Sequence, residues 1–270
     1  MPPIITLTTD FGLQDEYVGV MKGILAAQAP HAQLIDLCHA VGNQNITQAS
    51  FLLQAAAPYF PEGTIHLAVV DPGVGTTREL LILQALGQYF VAPDNGLLTP
   101  FLADDKFLAA TYIDCPHLYG TPLSTTFHGR DILAPVAAAL ARGIEPCRLG
   151  KKAPRINLKN LSLPQLQIDP IHGNILGFVI HIDHFGNLIT NIHQRDLAAL
   201  QSADSAIEIL CKDTRIKGLS STYGAVSKEK ILALVGSRGY VEVAANQGSA
   251  ATLLQAAVGE PIQVICQEGK

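Results

Sequence analysis

The sequence predicts an α/β N-terminal domain with a largely parallel central sheet over residues 1–160, followed by a C-terminal all-β, barrel-like domain over residues 170–270. Three observations carry this. The first half alternates strand-like apolar runs with helical ones, the pattern of a parallel sheet covered by helices. The stretch Lys151–Pro170 turns to Lys, Pro, Asn and Gln with short apolar pieces and reads as a linker, placing the boundary near 155–172. Beyond it the apolar runs are short and β-rich, at the spacing of a small antiparallel sheet or barrel.

In order, the predicted strands of the first half are 3–8, 32–37, 64–70, 79–85, 88–92 and 107–113. The first opens directly after Met-Pro-Pro as Ile4-Ile-Thr-Leu-Thr-Thr9, and 64–70 is the apolar run Thr64-Ile-His-Leu-Ala-Val-Val70. The predicted helices are Glu16–Gln28, with Asp15 placed to cap it, Ile46–Tyr59, and the Ala-rich Asp131–Arg142. The second half offers strands at Ile175–Ile182, Ala206–Cys211, Lys230–Val235, Tyr240–Ala244 and Pro261–Gln267. No internal repeat or low-complexity segment is visible.

Composition narrows the function. The chain is 48% hydrophobic and only 15% charged, with a formal net charge of −5. So little charge over 270 residues implies that much surface is buried, and an oligomer is one way to bury it. Slight acidity without a Lys/Arg run argues against nucleic acid or an anionic membrane as partner and leaves a small molecule. Cys38, Cys115, Cys147, Cys211 and Cys266 are scattered, odd in number and without C-x-x-C spacing, which fits reduced cytoplasmic thiols and neither a disulfide framework nor a zinc site. No signal peptide and no membrane-spanning stretch is expected.

Residues 71–78 read Asp-Pro-Gly-Val-Gly-Thr-Thr-Arg, so a buried strand ends on a carboxylate, turns tightly and presents an arginine. Ligands of open α/β sheets sit at the carboxyl ends of strands, which makes Asp71 a site candidate. The glycines are not a phosphate cradle: no Lys-Ser/Thr follows, and G-x-G-x-x-G is absent. Asp10, just past the first strand in Thr8-Thr9-Asp10-Phe11-Gly12, suits a bidentate grip on a vicinal diol, the alternative being an N-cap or Asx-turn. Pro93-Asp94-Asn95-Gly96 reads first as a turn. In Phe127-His128-Gly129-Arg130-Asp131 the imidazole falls at the same sheet edge as Asp10 and Asp71, where it could hold or deprotonate a water; Arg130 and Asp131 could form a local ion pair.

Downstream, Ile182-Asp183-His184-Phe185-Gly186-Asn187 ends one strand and Gly236-Ser237-Arg238-Gly239-Tyr240 joins two others. A hydroxyl and a guanidinium flanked by glycines suit a carboxylate ligand, although the same four residues make an ordinary hairpin turn. Asp183 suits an ammonium, the Asn187 amide suits a purine edge, and Phe185 or Tyr223 could stack on a base. Together they describe an amino-acid end and a nucleoside end.

These motifs, with Tyr17-Val-Gly-Val-Met-Lys-Gly23 and Val69-Val-Asp-Pro-Gly-Val-Gly75, occur in order along the whole chain. In them the sequence resembles the S-adenosylmethionine hydroxide adenosyltransferases, adenosine-forming hydrolases related to the fluorinase and chlorinase. The resemblance implies a trimer whose active site lies between the N-terminal domain of one subunit and the C-terminal domain of its neighbour. It implies an Asp-Arg-His set at Asp71, Arg78 and His128, which the halogenases have exchanged for a halide pocket. Asp10 would grip the ribose, Asp183 and Ser237-Arg238 the methionine end, and Asn187 the adenine. Tyr223 would stack near the base, and backbone around Asn246 and Gln247 would complete adenine binding. Glu242 lies in the same segment as a further substrate-site candidate. No cofactor or metal is expected, S-adenosylmethionine being the substrate.

The implied reaction displaces methionine from C5′ by water. The sulfonium leaves as a neutral thioether, so the demand falls on making water nucleophilic and aligning it opposite sulfur. An arginine beside a carboxylate weakens it as a base, which favours His128 over Asp71 as proton acceptor. The alternatives are a halide-dependent, chlorinase-like adenosyl transferase and a non-catalytic adenosine-binding protein.

Overall fold

A computed structural model describes residues 1–103, 105–198, 200 and 206–267. The chain divides into two compact units, Met1–Leu161 and Ser162–Lys270.

The first unit runs β1 (Ile4–Thr9), α1 (Tyr17–Gln28), β2 (Gln33–Cys38), α2 (Ile46–Ala56), β3 (Ile65–Val69), β4 (Leu80–Ala85), β5 (Gln88–Pro93), β6 (Phe107–Ile113), α3 (Ala134–Ala141) and β7 (Gly150–Lys152). Its sheet has the order β2-β1-β3-β5-β4-β6-β7. β1, β2, β3 and β5 are parallel, whereas β4, β6 and β7 join by antiparallel pairs. The sheet is therefore mixed rather than largely parallel. The cause is local: Leu86 and Gly87, at φ 56° and 70°, close a two-residue turn between β4 and β5, and so short a link joins only antiparallel strands.

Helices cover both faces. Val18, Met21 and Leu25 form the buried stripe of α1, and Met21 and Leu25 join Ile5, Leu7, Leu67 and the apolar α3 in one cluster. Ala49 and Leu53 of α2 belong to the other cluster, with Ala68, Leu81 and Phe90. β3 is buried along its whole length, as a central strand covered on both sides must be.

Helix ends differ from the sequence expectation for identifiable reasons. Glu16, not Asp15, occupies the N-cap of α1, and no side chain caps it. α2 is capped by Asn45, whose Oδ1 accepts from the Gln48 amide at 2.9 Å, and it tightens into a 3₁₀ turn over Ala57–Tyr59 at Pro58. Asp131–Arg142 is not one helix: a π turn over Gly129–Leu133 precedes α3. Pro135 has no N–H to give the carbonyl of Asp131, which accepts from the Gly120 amide at 2.8 Å instead.

His66 on β3 is fully buried, stacked on Phe90, with Nδ1 2.8 Å from Thr6 Oγ1 and Nε2 3.2 Å from Gln88 Oε1. Burial pushes its pKa down to about 4. Between pH 6.5 and 4 the unfolded chain therefore binds a proton that the folded one refuses, so stability falls as pH drops through that window, by about 3 kcal/mol in all. The His66 ring resonances should show no protonation at pH 5.5; titration near 6.5 would contradict this burial.

The second unit runs β8 (Gln167–Asp169), β9 (Asn174–Ile182), β10 (Leu188–His193), α4 (Gln194–Ala198), β11 (Ala206–Cys211), β12 (Thr214–Lys217), β13 (Ile231–Val235), β14 (Tyr240–Ala245), α5 (Ala250–Leu254) and β15 (Pro261–Gln267). The order is β12-β11-β15-β9-β10-β14-β13, with β8 also on β9, and every pair is antiparallel. β9 alternates buried and half-buried residues and pairs with β15 through its first half and β10 through its second, which bends the sheet into a barrel-like form around Ile175, Val179, Ile209, Val241 and Val264. Two five-residue helices keep the unit from being purely β. Among the described residues no helix is long and apolar enough to cross a membrane.

Candidate active site

Parallel strands align their carboxyl ends, so β1, β2, β3 and β5 deliver Asp10, His39, Asp71 and Asn95 to one edge of the first sheet. A cavity of about 420 Å³ opens there, lined by Asp10, Phe11, Tyr17, Asp71, Phe127 and His128 among others. Three aromatics wall it: Phe11, Tyr17 and Phe127 sit with ring centroids 5.2–5.8 Å apart.

Arg78 organises the polar side. Its Nε donates to Asp71 Oδ1 at 2.6 Å and Oδ2 at 2.8 Å, its Nη2 donates to Oδ2 as well, and the same Nη2 lies 3.0 Å from His128 Nδ1. The Asp71 and Arg78 side chains are 6% and 10% exposed, so the pair is nearly out of water. A guanidinium can only donate, which makes Nδ1 of His128 an acceptor and puts the ring proton on Nε2. Burial, and next the Arg78 charge, lower the pKa of His128, in keeping with a neutral ring. His128 thus offers its ligand an N–H, not a lone pair. The sequence expectation that His128 is the better base does not fit this tautomer.

The glycines of the 71–75 turn have a steric function. Gly75 lies at φ 77°, and a Cβ there would collide with the Thr125 carbonyl, so only glycine lets this loop close against the 120–127 segment. Asn95 turns out to be more than a turn residue: its Nδ2 donates to the Val70 carbonyl at 2.9 Å, steadying the residue just before Asp71. Arg130 and Asp131 do form the local ion pair, and its hydrogen bonds hold the Asp131 carboxyl below its ordinary pKa.

In the second unit, Asp183, Phe185, Asn187, Tyr223, Ser237, Arg238 and Glu242 line a single cavity of about 650 Å³. Two hairpin turns build it. In the β9–β10 turn Asp183 Oδ1 accepts from the Phe185 and Asn187 amides, and Oδ2 accepts from Asn187 Nδ2, each at 2.9 Å. That engages one of the two Asn187 amide hydrogens within the turn itself. In the β13–β14 turn, Gly236 has no Cβ because the Glu242 carboxylate packs where one would be. Glu242 is buried and accepts from Tyr223 Oη at 3.0 Å. Burial raises its pKa, and burial together with the Glu242 charge pushes Tyr223 up to about 12.

Asn246 is outside this lining, between Ala245 and Gln247, which belong to it; its Nδ2 instead donates to the Val226 carbonyl at 2.6 Å. Sequence reasoning missed the Phe11–Tyr17–Phe127 wall, although all three stand inside recognised motifs. Among the described residues no group of three or more His, Cys, Asp or Glu side chains is arranged to hold a metal ion.

The first unit thus has a strand-edge cavity lined by Asp71 and His128, which Arg78 joins, and the second unit has a cavity lined by acidic, amide, hydroxyl, guanidinium and aromatic side chains, an arrangement suited to an enzyme acting on a polar small molecule. Residues 5–150 match the SAM hydroxide adenosyltransferase N-terminal domain and residues 177–263 its C-terminal domain; the chain belongs to that family. It is 38% identical over 273 residues to the (R)-S-adenosyl-L-methionine hydrolase of Thermus thermophilus, across 98% of this chain and 100% of that one. The fluorinase of Nocardia brasiliensis is 27% identical over 97% of this chain and 96% of its own. An uncharacterized conserved protein from Thermotoga maritima has a crystal structure that matches at TM-score 0.88 and 33% identity, covering 97% of this chain and 99% of that one.

Proposed function

We propose that the protein hydrolyses S-adenosyl-L-methionine to adenosine and L-methionine, with the (R) epimer at sulfur, named in its relatives, as substrate. The observation that carries this reading is Arg78 bridging Asp71 and His128, which line one cavity together with Asp10.

A water oxygen attacks C5′, the C5′–S bond breaks, and its electron pair leaves on sulfur as the neutral thioether of methionine. The water donates one hydrogen to Asp71, which takes the proton, while the His128 Nε2–H donates to the water oxygen and fixes the lone pair used in attack. Arg78 holds both partners in place. Alignment of this kind can remove up to about 7–11 kcal/mol of barrier, and the step cancels the Asp71 carboxylate charge against that of the sulfonium, which is favoured where water is scarce. Asp10 grips the ribose hydroxyls. Asp183 takes the methionine ammonium, Ser237 and Arg238 its carboxylate, and the Asn187 amide oxygen accepts from the adenine amino group, with Phe185 and Tyr223 against the base. Glu242 supports the Ser237-Arg238 turn from beneath. The five free thiols suit a cytoplasmic setting.

Pure protein incubated with each epimer should release adenosine and methionine without halide, the (R) form faster. Production of 5′-chloro-5′-deoxyadenosine on adding chloride, or binding without turnover, would overturn the reading. The family resemblance also carries a homotrimer whose site draws on two subunits. Co-expressed Asp71→Asn and Arg238→Ala chains, each inactive alone, should then regain activity in mixed assemblies; a fully active monomer would refute the assembly.

A further inference from the structure

We propose that Thr9, His39, Asp36 and Lys22 form a clamp that positions Asp10, a claim that rests on Asp10 being the ribose ligand. None of the four is assigned a part in the reaction above. The clamp begins with an irregularity between β1 and β2. Leu7 pairs with Asp36, but Thr8 pairs with Cys38, so Leu37 is skipped and His39 is carried forward to the side of Thr9.

There Thr9 Oγ1 lies 2.9 Å from His39 Nδ1, with Thr9 fully buried and His39 5% exposed. His39 Nε2 is 3.0 Å from Asp36 Oδ1, and Lys22 Nζ donates to Asp36 Oδ2 at 2.6 Å. Partial burial would raise the Asp36 pKa, but Lys22 and His39 outweigh it and hold the carboxyl low, so a charged partner stands behind the imidazole. The set looks like a nucleophile triad, yet the Thr9 hydroxyl is sealed from solvent and can attack nothing.

What it holds is the loop that carries Asp10. The Phe11 amide donates to Thr9 Oγ1 at 3.3 Å and the Gly12 amide to the His39 carbonyl at 2.7 Å, so both residues that follow Asp10 end on the clamp. The carboxylate itself is steadied from the same connector, Oδ2 accepting from the Gln44 amide at 2.8 Å. A grip on a vicinal diol needs both carboxylate oxygens placed to within about 0.5 Å, and a hydrogen-bonded buried support is how such placement is kept. Thr9 and His39 are therefore positioning residues for substrate binding. Since ribose is held alike before and during the reaction, loosening them weakens binding and spares the chemical step.

The test compares Thr9→Val, which keeps the shape and removes the hydroxyl, with Thr9→Ser, which restores it; His39→Leu and His39→Asn repeat the comparison from the other side. Adenosine affinity is measured by calorimetry, KM and kcat with S-adenosylmethionine, and Gly12 amide exchange by NMR, with Asp10→Ala in parallel. Thr9→Val and His39→Leu should weaken adenosine binding and raise KM by about tenfold, leave kcat within about twofold, and speed Gly12 exchange, while Thr9→Ser and His39→Asn stay near the parent. Parental adenosine affinity in both Thr9→Val and His39→Leu, or a loss confined to kcat, overturns the clamp. Should Asp10→Ala itself bind adenosine like the parent, the ribose reading has failed instead; Gly12 exchange then decides, faster exchange in Thr9→Val supporting the clamp as the loop's anchor and unchanged exchange overturning it.

Discussion

Asp71→Asn should lower kcat by about 10²–10⁴-fold while adenosine affinity stays close to that of the parent. The amide keeps the size and planarity of the carboxylate but cannot take a proton, and one oxygen gripped by Arg78 becomes an NH₂ facing its donors. In the proposed reading, ground-state binding falls to Asp10 and to the residues lining the cavity of the second unit, so only the chemical step should suffer. Rapid-quench turnover with adenosine calorimetry, alongside a thermal melt to confirm folding, separates the two. Turnover at the parental rate in the Asp71→Asn variant returns the proton to His128.

Arg78→Met should cost a comparable amount, about 10³-fold in kcat, because one side chain holds both Asp71 and His128. It should also move the pH profile in a direction fixed by charge. In the parent, burial and Arg78 hold the pKa of His128 below 6.5, so kcat falls on the acid side only beneath that pH, where the ring gains a second proton and repels Arg78. Without Arg78 one lowering influence is gone, while the negative charges of Asp71 and Asp131, which raise it, remain. The acid limb should therefore rise to higher pH, and the His128 ring should titrate higher by NMR. A limb that stays put would mean that Arg78 and His128 are not coupled.

The sequence made much of this legible, unevenly. Apolar runs located β1, β3 and β5 and hence the strand ends that carry Asp10 and Asp71, because a buried strand leaves a local signature. The loop residues of the second cavity were legible one at a time, as turns rich in glycine with a polar payload. Strand direction was not legible from apolarity, although the two residues between 85 and 88 already required a hairpin. The supposed linker contributes β7 and β8, three-residue strands too short and polar to show periodicity. The tautomer of His128 depends on a partner 50 residues away, and the Thr9–His39 contact on one skipped residue in a register. Neither leaves a trace in local sequence. Asn246 shows the converse: a polar residue beside the cavity whose side chain serves a loop instead.

The central claim is that water-derived oxygen replaces sulfur at C5′, and turnover in water enriched in oxygen-18 tests it most directly. Mass spectrometry of the products should find one heavy oxygen on the adenosine 5′-hydroxyl and none in methionine, whereas adenosine without label would contradict the displacement.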